Sequence, residues 1–207
     1  MYKILGMQTS LFEDRPLNIL PCDGEAIYYA GLFSNEESDS YFNALRKEIG
    51  WKQEPVKILG KEIMQPRLTA WYGETDKPYT YSGITMHPAP WTITLKTIKE
   101  NIESIAGCQF SSALLNLYRT GSDSMGWHRD NEKELGVNPI IGSVSFGAAR
   151  TFQFRKYSDK SNKVSIQLTS GSLLLMRGST NHHWEHRVPK ISGAVNERIN
   201  LTFRIIK

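Results

Sequence analysis

The residues best suited to chemistry lie in Trp127-His128-Arg129-Asp130-Asn131-Glu132. In an extended strand, side chains two apart share a face, so His128 and Asp130 can meet one metal ion. A third ligand has to come from elsewhere. The segment Asn181-His182-His183-Trp184-Glu185-His186-Arg187-Val188-Pro189 offers histidines and a carboxylate. Two imidazoles and one carboxylate on one side of a metal make a facial triad, whose open positions suit non-heme Fe(II) and oxygen chemistry. Any one of these histidines is equally an ordinary surface or core imidazole, and spacing alone does not choose among His182, His183 and His186.

The C-terminal segment Arg198-Ile199-Asn200-Leu201-Thr202-Phe203-Arg204 alternates strictly. As a strand it puts Ile199, Leu201 and Phe203 on one face and Arg198, Asn200, Thr202 and Arg204 on the other. Two arginines on one face of an otherwise apolar strand do not stay in a core unpaired. A ligand with two carboxylates satisfies them, because guanidinium grips carboxylate in a two-pronged fork. An edge strand with a solvated polar face satisfies them equally well. Leu115-Asn116-Leu117-Tyr118 repeats the logic, its leucines facing one way and an amide and a phenol the other.

These residues need a scaffold, and its elements can be read in order. Ser34 followed by Glu37 has the form of a capping box. Tyr41, Phe42, Leu45 and Ile49 follow at helical spacing, and Gly50 stands where a C-terminal cap belongs. A second helix is predicted from about Thr92 to Ala106, with Leu95, Ile98, Ile102 and Ile105 on one face and Gly107 as its stop. From Ser112 the period changes to two. Ala113–Arg119, Ile140–Phe146, Arg150–Arg155, Lys163–Thr169, Ser172–Met176 and Arg198–Ile206 read as short strands divided by Gly, Asn, Asp and Ser turns. No helical crossover separates them, so antiparallel pairing is expected. The class is then α+β, mainly β, with helices flanking a β-sandwich or jelly roll.

The 207 residues, 40% hydrophobic and 22% charged, are ordinary for one folded domain and exclude a disordered or collagenous chain. The longest apolar run, Leu173–Met176, is far short of the ~20 residues of a membrane helix. Cys22 and Cys108 stand far apart without a C-x-x-C partner, which excludes a zinc ribbon and fits a reducing compartment. Met1-Tyr2-Lys3-Ile4-Leu5-Gly6 carries no apolar export segment, so an intracellular location is expected, cytoplasmic for a bacterial source and nuclear for a eukaryotic one. A net charge of +4 permits a polyanionic partner without demanding one.

Taken in order, a set of segments resembles the AlkB family of Fe(II)- and 2-oxoglutarate-dependent dioxygenases. They are Pro66–Gly73, Tyr79–Gly83, Asn116–Tyr118, His128–Asp130, Ser143–Ala148, the His186 segment and Arg198–Arg204. Within that family they are similar to the second and third eukaryotic-type homologues, which repair alkylated nucleic acid. The resemblance implies a single domain over 1–207 with a double-stranded β-helix. N-terminal helices and nucleotide-recognition hairpins would occupy about 1–110, and the jelly-roll catalytic core about 111–207. It implies Fe(2+) held by His128, Asp130 and His186, the last because the family's ligand stands three residues before a proline, here Pro189. It implies 2-oxoglutarate held by Asn116, Tyr118 and Arg204, with Arg204 on the distal carboxylate and Arg198 and Asn200 beside the metal-bound end. O2 completes the set.

The implied activity is oxidative demethylation of 1-methyladenine- and 3-methylcytosine-type bases in DNA, with RNA as a second candidate, by a monomer with no membrane attachment. A protein side-chain hydroxylase of the same fold and an inactive nucleic-acid-binding module are the alternatives. On the substrate side, Tyr79, Tyr81 and Ser82 would meet a base flipped out of its stack opposite His128. Glu132 would lie near the base's exocyclic amine, and Arg67, Ile58 and Leu59 would be further substrate contacts. Asn131 replaces a carboxylate that often follows the metal Asp in the family, which bears on base choice and not on the iron set. Arg155, Lys156, Lys160 and Lys163 crowd one loop and can hold phosphates, or simply solvate a hairpin.

Val56-Lys57-Ile58-Leu59-Gly60-Lys61-Glu62 reads as a hairpin with apolar residues at its turn. By the resemblance, Leu59 is a wedge that fills the gap left by a flipped base, with Ile58 behind it. Extrusion costs a few kcal/mol in duplex and least in single strands. Leu59→Ala is therefore expected to slow repair of methylated duplex by about tenfold, with single-stranded repair and melting temperature unchanged. Equal loss on both substrates, or a lowered melting temperature, would assign Leu59 to the core instead.

Overall fold

Period-two alternation builds most of this molecule. The computed structural model describes residues 17–58, 61–74, 79–81, 84–86 and 88–207. In chain order the first elements are β1 (Glu25–Tyr29), α1 (Asn35–Glu48), β2 (Pro55–Ile58), β3 (Lys61–Met64), β4 (Leu68–Gly73), β5 (Tyr79–Tyr81), β6 (Ile84–Met86) and α2 (Ile93–Ala106). Next come β7 (Ser112–Tyr118), β8 (Met125–His128), a 3-10 turn at Lys133–Leu135, β9 (Ile141–Gly147), β10 (Arg150–Lys156) and β11 (Lys163–Leu168). The last are β12 (Ser172–Arg177), the single turn α3 (Thr180–His183), β13 (Trp184–Val188) and β14 (Arg198–Arg204).

The larger sheet runs β1-β12-β9-β14-β7-β4 and the smaller β11-β10-β13-β8, with every pairing antiparallel. From β7 onward the chain passes repeatedly from one sheet to the other, the winding of a jelly roll. The expected class, mainly β with flanking helices, is borne out. The N-terminal segment contributes β1 and β4, the two edges of the larger sheet, which periodicity had not marked as strands. The 56–62 segment does form a hairpin, pairing Val56 with Ile63 and Ile58 with Lys61; Leu59 lies outside the described residues.

The two faces of the larger sheet do different work. Outward, Ala113, Leu115 and Leu117 of β7 and Ile199, Leu201 and Phe203 of β14 form one core with Leu45 of α1 and Leu95, Ile98 and Ile102 of α2. Inward, Tyr118, Leu174 and Met176 pack against Phe152, Phe154 and Trp184 of the smaller sheet. Helix α1 starts at the expected capping box, with Ser34 and Glu37 bonded reciprocally. It ends differently. Ile49, in extended conformation, closes it, so Gly50 is not a left-handed cap, whereas Gly107 is one, at φ 67°.

One buried cation ties the loops at the open end of the barrel. Arg150, the first residue of β10, is 1% exposed and donates to the carbonyls of Thr120, Asp123 and Pro189 at 2.8–3.2 Å. Those carbonyls belong to the β7–β8 and β13–β14 connections. The connections touch so closely that a Cβ on Gly121 would lie 2.5 Å from the Ile191 carbonyl oxygen. Arg150→Met would leave the buried Asp123 carbonyl, and in part those of half-buried Pro189 and exposed Thr120, without a donor, at roughly 1–3 kcal/mol for each one left unsatisfied. The expected outcome is a loss of about 3 kcal/mol or more, read as a lowered urea midpoint at unchanged slope. A loss under about 1 kcal/mol would show that water replaces the guanidinium.

Candidate active site

His128 ends β8 and His186 sits mid-way along β13, directly opposite it in the register. Their rings are 4.2 Å apart. His128 Nδ1 bonds the Gly126 carbonyl at 2.8 Å; with the proton on Nδ1, the Nε2 lone pair faces inward. Asp130 Oδ1 is 3.5 Å from His128 Nε2 and Oδ2 is 3.8 Å from His186 Nε2. Ligand atoms from the three residues all fall within 4.8 Å of one another. The route to this cluster is not the expected one. The strand stops at His128, and Asp130 reaches the site through a left-handed backbone, φ 51°, rather than by strand alternation. Asn181 Nδ2 donates to the Asp130 carbonyl at 2.7 Å and helps hold that bend.

The charges fit a cation. Burial alone would raise the Asp130 carboxyl, but the Arg204 guanidinium, His128 and His186 hold it well below the usual carboxylate range. Arg204 Nη2 donates to Asp130 Oδ2 at 2.8 Å, and both side chains are buried. Burial, then the neighbouring His128, pushes His186 down to about 3, so its imidazole is neutral and its nitrogen available. Its ring stacks on Phe152 at 5.3 Å. Two imidazoles and an ionised carboxylate on one side of an open cleft are the donor set for Fe(II). His182 and His183 are exposed and belong to no such cluster.

The cleft beside the triad holds about 470 Å³ of empty space including its mouth. Its walls include Asn116, Tyr118, Ser143, Asn200, Thr202 and Arg204, with Met125, Phe152, Met176 and Val188 as apolar lining. All seven residues of β14 are buried between β7 and β9, which rules out the solvated edge strand and makes its polar face an inner wall. The arginine that meets the metal-site carboxylate is Arg204, bonded to Asp130, where the resemblance implied Arg198 beside the metal-bound end. Arg198 is opposite Tyr118 in the register, about 20 Å of strand away.

Arg198 is 1% exposed and 5.1 Å from the Tyr118 ring, donating from Nη2 to Ser145 Oγ; its Nε and Nη1 have no partner. Burial lowers it to about 10, which leaves it a cation at neutral pH. A buried cation with open donors suits the far carboxylate of a diacid. Asn200 is already engaged, donating to Ser143 Oγ and the Val144 carbonyl and accepting from Thr202. The paired serines of Ser143-Val144-Ser145, inward at alternate positions, were the sequence signal for these partners.

On the substrate side, Glu132 adjoins the triad. Burial and the Asp130 charge raise its carboxyl, and its Oε2 is buried without a partner. Tyr79 and Tyr81 fall on β5 and Ile58 on β2, but only their backbones are described; Ser82 and Leu59 lie outside the described residues. Arg67 is buried 3% exposed against Asn116, not at a surface a nucleic acid could touch. The basic loop is partly neutralised. Arg155 and Lys160 share Glu185 at 2.6 Å each, and Lys156 pairs with Asp23 at 2.7 Å, so charge density in sequence overstated what is free for phosphates.

Residues 25–204 match the 2OG-Fe(II) oxygenase superfamily. The mouse DNA oxidative demethylase ALKBH2 is 37% identical over 197 residues, covering 90% of this chain and 82% of that protein. The chain belongs to the AlkB family of these oxygenases. The human alpha-ketoglutarate-dependent dioxygenase alkB homolog 3 is 45% identical over 187 residues, 86% of this chain and 65% of that one, so the chain spans just under two thirds of that relative. The solved structure of OsALKBH1 superposes with a TM-score of 0.64 at 17% identity, covering 86% of this chain and 97% of that one, a likeness of fold. Family membership implies Fe(2+), 2-oxoglutarate and O2, and in this AlkB-family chain His128, Asp130 and His186 are the residues that can hold the metal.

The depressed His186 makes the metal-free protein sensitive to acid. Unfolded, the imidazole takes a proton near pH 6.5; folded, it resists until about 3. The unfolded state binds more protons between those values, so stability is full above about 6.5 and falls as pH drops toward 3. This group contributes at most about 1.4 kcal/mol per pH unit. Urea midpoints of metal-free protein between pH 7.5 and 5 are expected to fall more steeply for wild type than for His186→Gln. Parallel slopes would show that His186 is not held neutral.

Proposed function

We propose that this chain oxidatively demethylates N-alkylated bases in DNA, at 1-methyladenine- and 3-methylcytosine-type positions, with methylated RNA as a second substrate. The observation that carries the proposal is the triad in an open cleft whose walls carry Arg204, the Asn116 amide and the hydroxyls of Tyr118, Ser143 and Thr202, within a chain similar to a DNA oxidative demethylase over most of both lengths. When bound, iron, 2-oxoglutarate and O2 supply the oxidation that converts an N-methyl group to a hydroxymethyl, which leaves as formaldehyde while the oxo-acid becomes succinate and CO2.

The chain's own residues position and shield that chemistry. Asp130 keeps its charge because Arg204 stands against it, and His186 keeps its lone pair because Phe152 and the barrel wall exclude water. Arg198 and Tyr118 supply the far anchor for the diacid, and Asn116 an amide along its length. Glu132, raised by burial and by Asp130, stands beside the triad, where a base amine would meet it. We further assign the enzyme to the cell interior, cytoplasmic in a bacterium and nuclear in a eukaryote, as a monomer. Free Cys22 and Cys108 fit a reducing compartment.

Formaldehyde release from matched methylated single- and double-stranded DNA and RNA tests the reading. Release is expected to require Fe(II) and 2-oxoglutarate, and Asp130→Ala is expected to reduce it at least about a hundredfold, because only two neutral ligands would remain around a hard cation. Turnover of 2-oxoglutarate on a peptide, with no release from any methylated nucleic acid, would replace the proposal with a protein hydroxylase.

A further inference from the structure

Arg67 precedes β4 in Gln65-Pro66-Arg67 and is 3% exposed. An arginine is always a cation, yet each acceptor holding this one is neutral. Its Nε donates to Asn116 Oδ1 at 2.7 Å, its Nη1 to the Ser124 carbonyl at 3.3 Å, and its Nη2 to Gln65 Oε1. The surrounding backbone is pinned as well. Ser124 N–H donates to the Pro66 carbonyl at 2.9 Å, and Gln53 Nε2 donates to the Gln65 carbonyl at 2.9 Å. A planar fork held at three points has a single orientation.

The consequence falls on Asn116, which β7 places in the cleft wall between Leu114 and Tyr118. A carboxamide can present either its oxygen or its NH2, and its partners decide which. Arg67 Nε can only donate, so the Asn116 oxygen faces Arg67 and the NH2 is the end left for the cleft. A cleft that binds a dianion needs donors, and a reversed amide would set a carbonyl oxygen against a carboxylate. We infer that Arg67 is a positioning residue for the co-substrate cleft: through Asn116 it fixes an N–H donor toward the oxo-acid, and it does not contact the nucleic acid. This rests on the assignment of 2-oxoglutarate to the cleft, whatever the alkylated substrate.

The test is calorimetric binding of 2-oxoglutarate to the Mn(II)-loaded full chain, without nucleic acid. Arg67→Met is expected to weaken binding by about tenfold, the equivalent of one well-made hydrogen bond. It should raise KM for 2-oxoglutarate and leave KM for a methylated oligonucleotide unchanged. Arg67→Lys keeps the charge without the fork and is expected to weaken binding similarly; it serves if the methionine variant does not fold. In an Asn116→Ala background the effect of Arg67→Met should vanish, because the amide it sets is gone. Binding within about twofold of wild type in a folded variant, or a loss undiminished in the Asn116→Ala background, would overturn the inference. So would a change confined to the oligonucleotide KM. Failure of the demethylase reading leaves this measurement intact, since no nucleic acid is present in it.

Discussion

A carboxylate taken out of water stays ionised only if positive charge is brought against it, and the fold is arranged around one such group. Asp130 is 3% exposed, and by burial alone it would hold its proton. Arg204 meets it at 2.8 Å, from the far end of the chain, and the imidazoles of His128 and His186 flank it. The pair is not a source of fold stability, because desolvating two ions costs several kcal/mol each and their attraction does little more than repay it. What it provides is a charged ligand in a dry place. A hard divalent cation needs that ligand, and the neutral His186 beside it completes the same logic from the opposite direction.

The scaffold that delivers these groups is the strict alternation of two strands. β14 lies at the centre of the larger sheet, with β7 on one side and β9 on the other. Its odd-numbered residues anchor it to α1 and α2 through a core of aliphatic and aromatic side chains. With that face fixed, a one-residue slip would bury Arg198, Asn200, Thr202 and Arg204 against the helices, a cost no partner there could offset. The hydrophobic face therefore sets the register that puts the polar face in the cleft. The smaller sheet does the same for the metal end, where Phe152, Phe154 and His186 point inward together.

The cleft between the sheets carries more positive than negative charge. Arg204 lines it, with buried Arg67 bonded to the lining Asn116 and buried Arg198 beside the ring of the lining Tyr118, and Asp130 already answers Arg204. Arg198 retains two donors without partners, and Arg67 is held only by neutral acceptors. Such an excess is costly in an isolated protein and is offset by an anionic ligand with donors to satisfy. On the loop of residues 155–163 pairing is further advanced: Arg155 and Lys160 share Glu185, and Lys156 meets Asp23. The positive charge of Arg198 and Arg67 around the cleft lacks carboxylate partners among the described residues, whereas on that loop it is partly compensated.

Much of this was legible in residue order. The capping box at Ser34, the stop at Gly107, the two-residue period after Ser112 and the division of β14 into an apolar and a polar face are local properties, fixed by steric and hydrogen-bonding preferences over a few residues. The metal ligands were legible in part: His128 and Asp130 stood out by type and spacing, while the choice of His186 over His182 and His183 came from the family resemblance and not from local preference. What needed the tertiary structure was every relation between distant residues. The left-handed bend at Asp130, the bond of Arg204 to that carboxylate, the burial of Arg67 against Asn116 and the partial pairing of the basic loop all depend on which strands lie side by side and in what register. A sequence shows that two arginines share a face. Only the packed sheets decide which of them meets the carboxylate, because that choice is made by groups 74 residues apart in the chain.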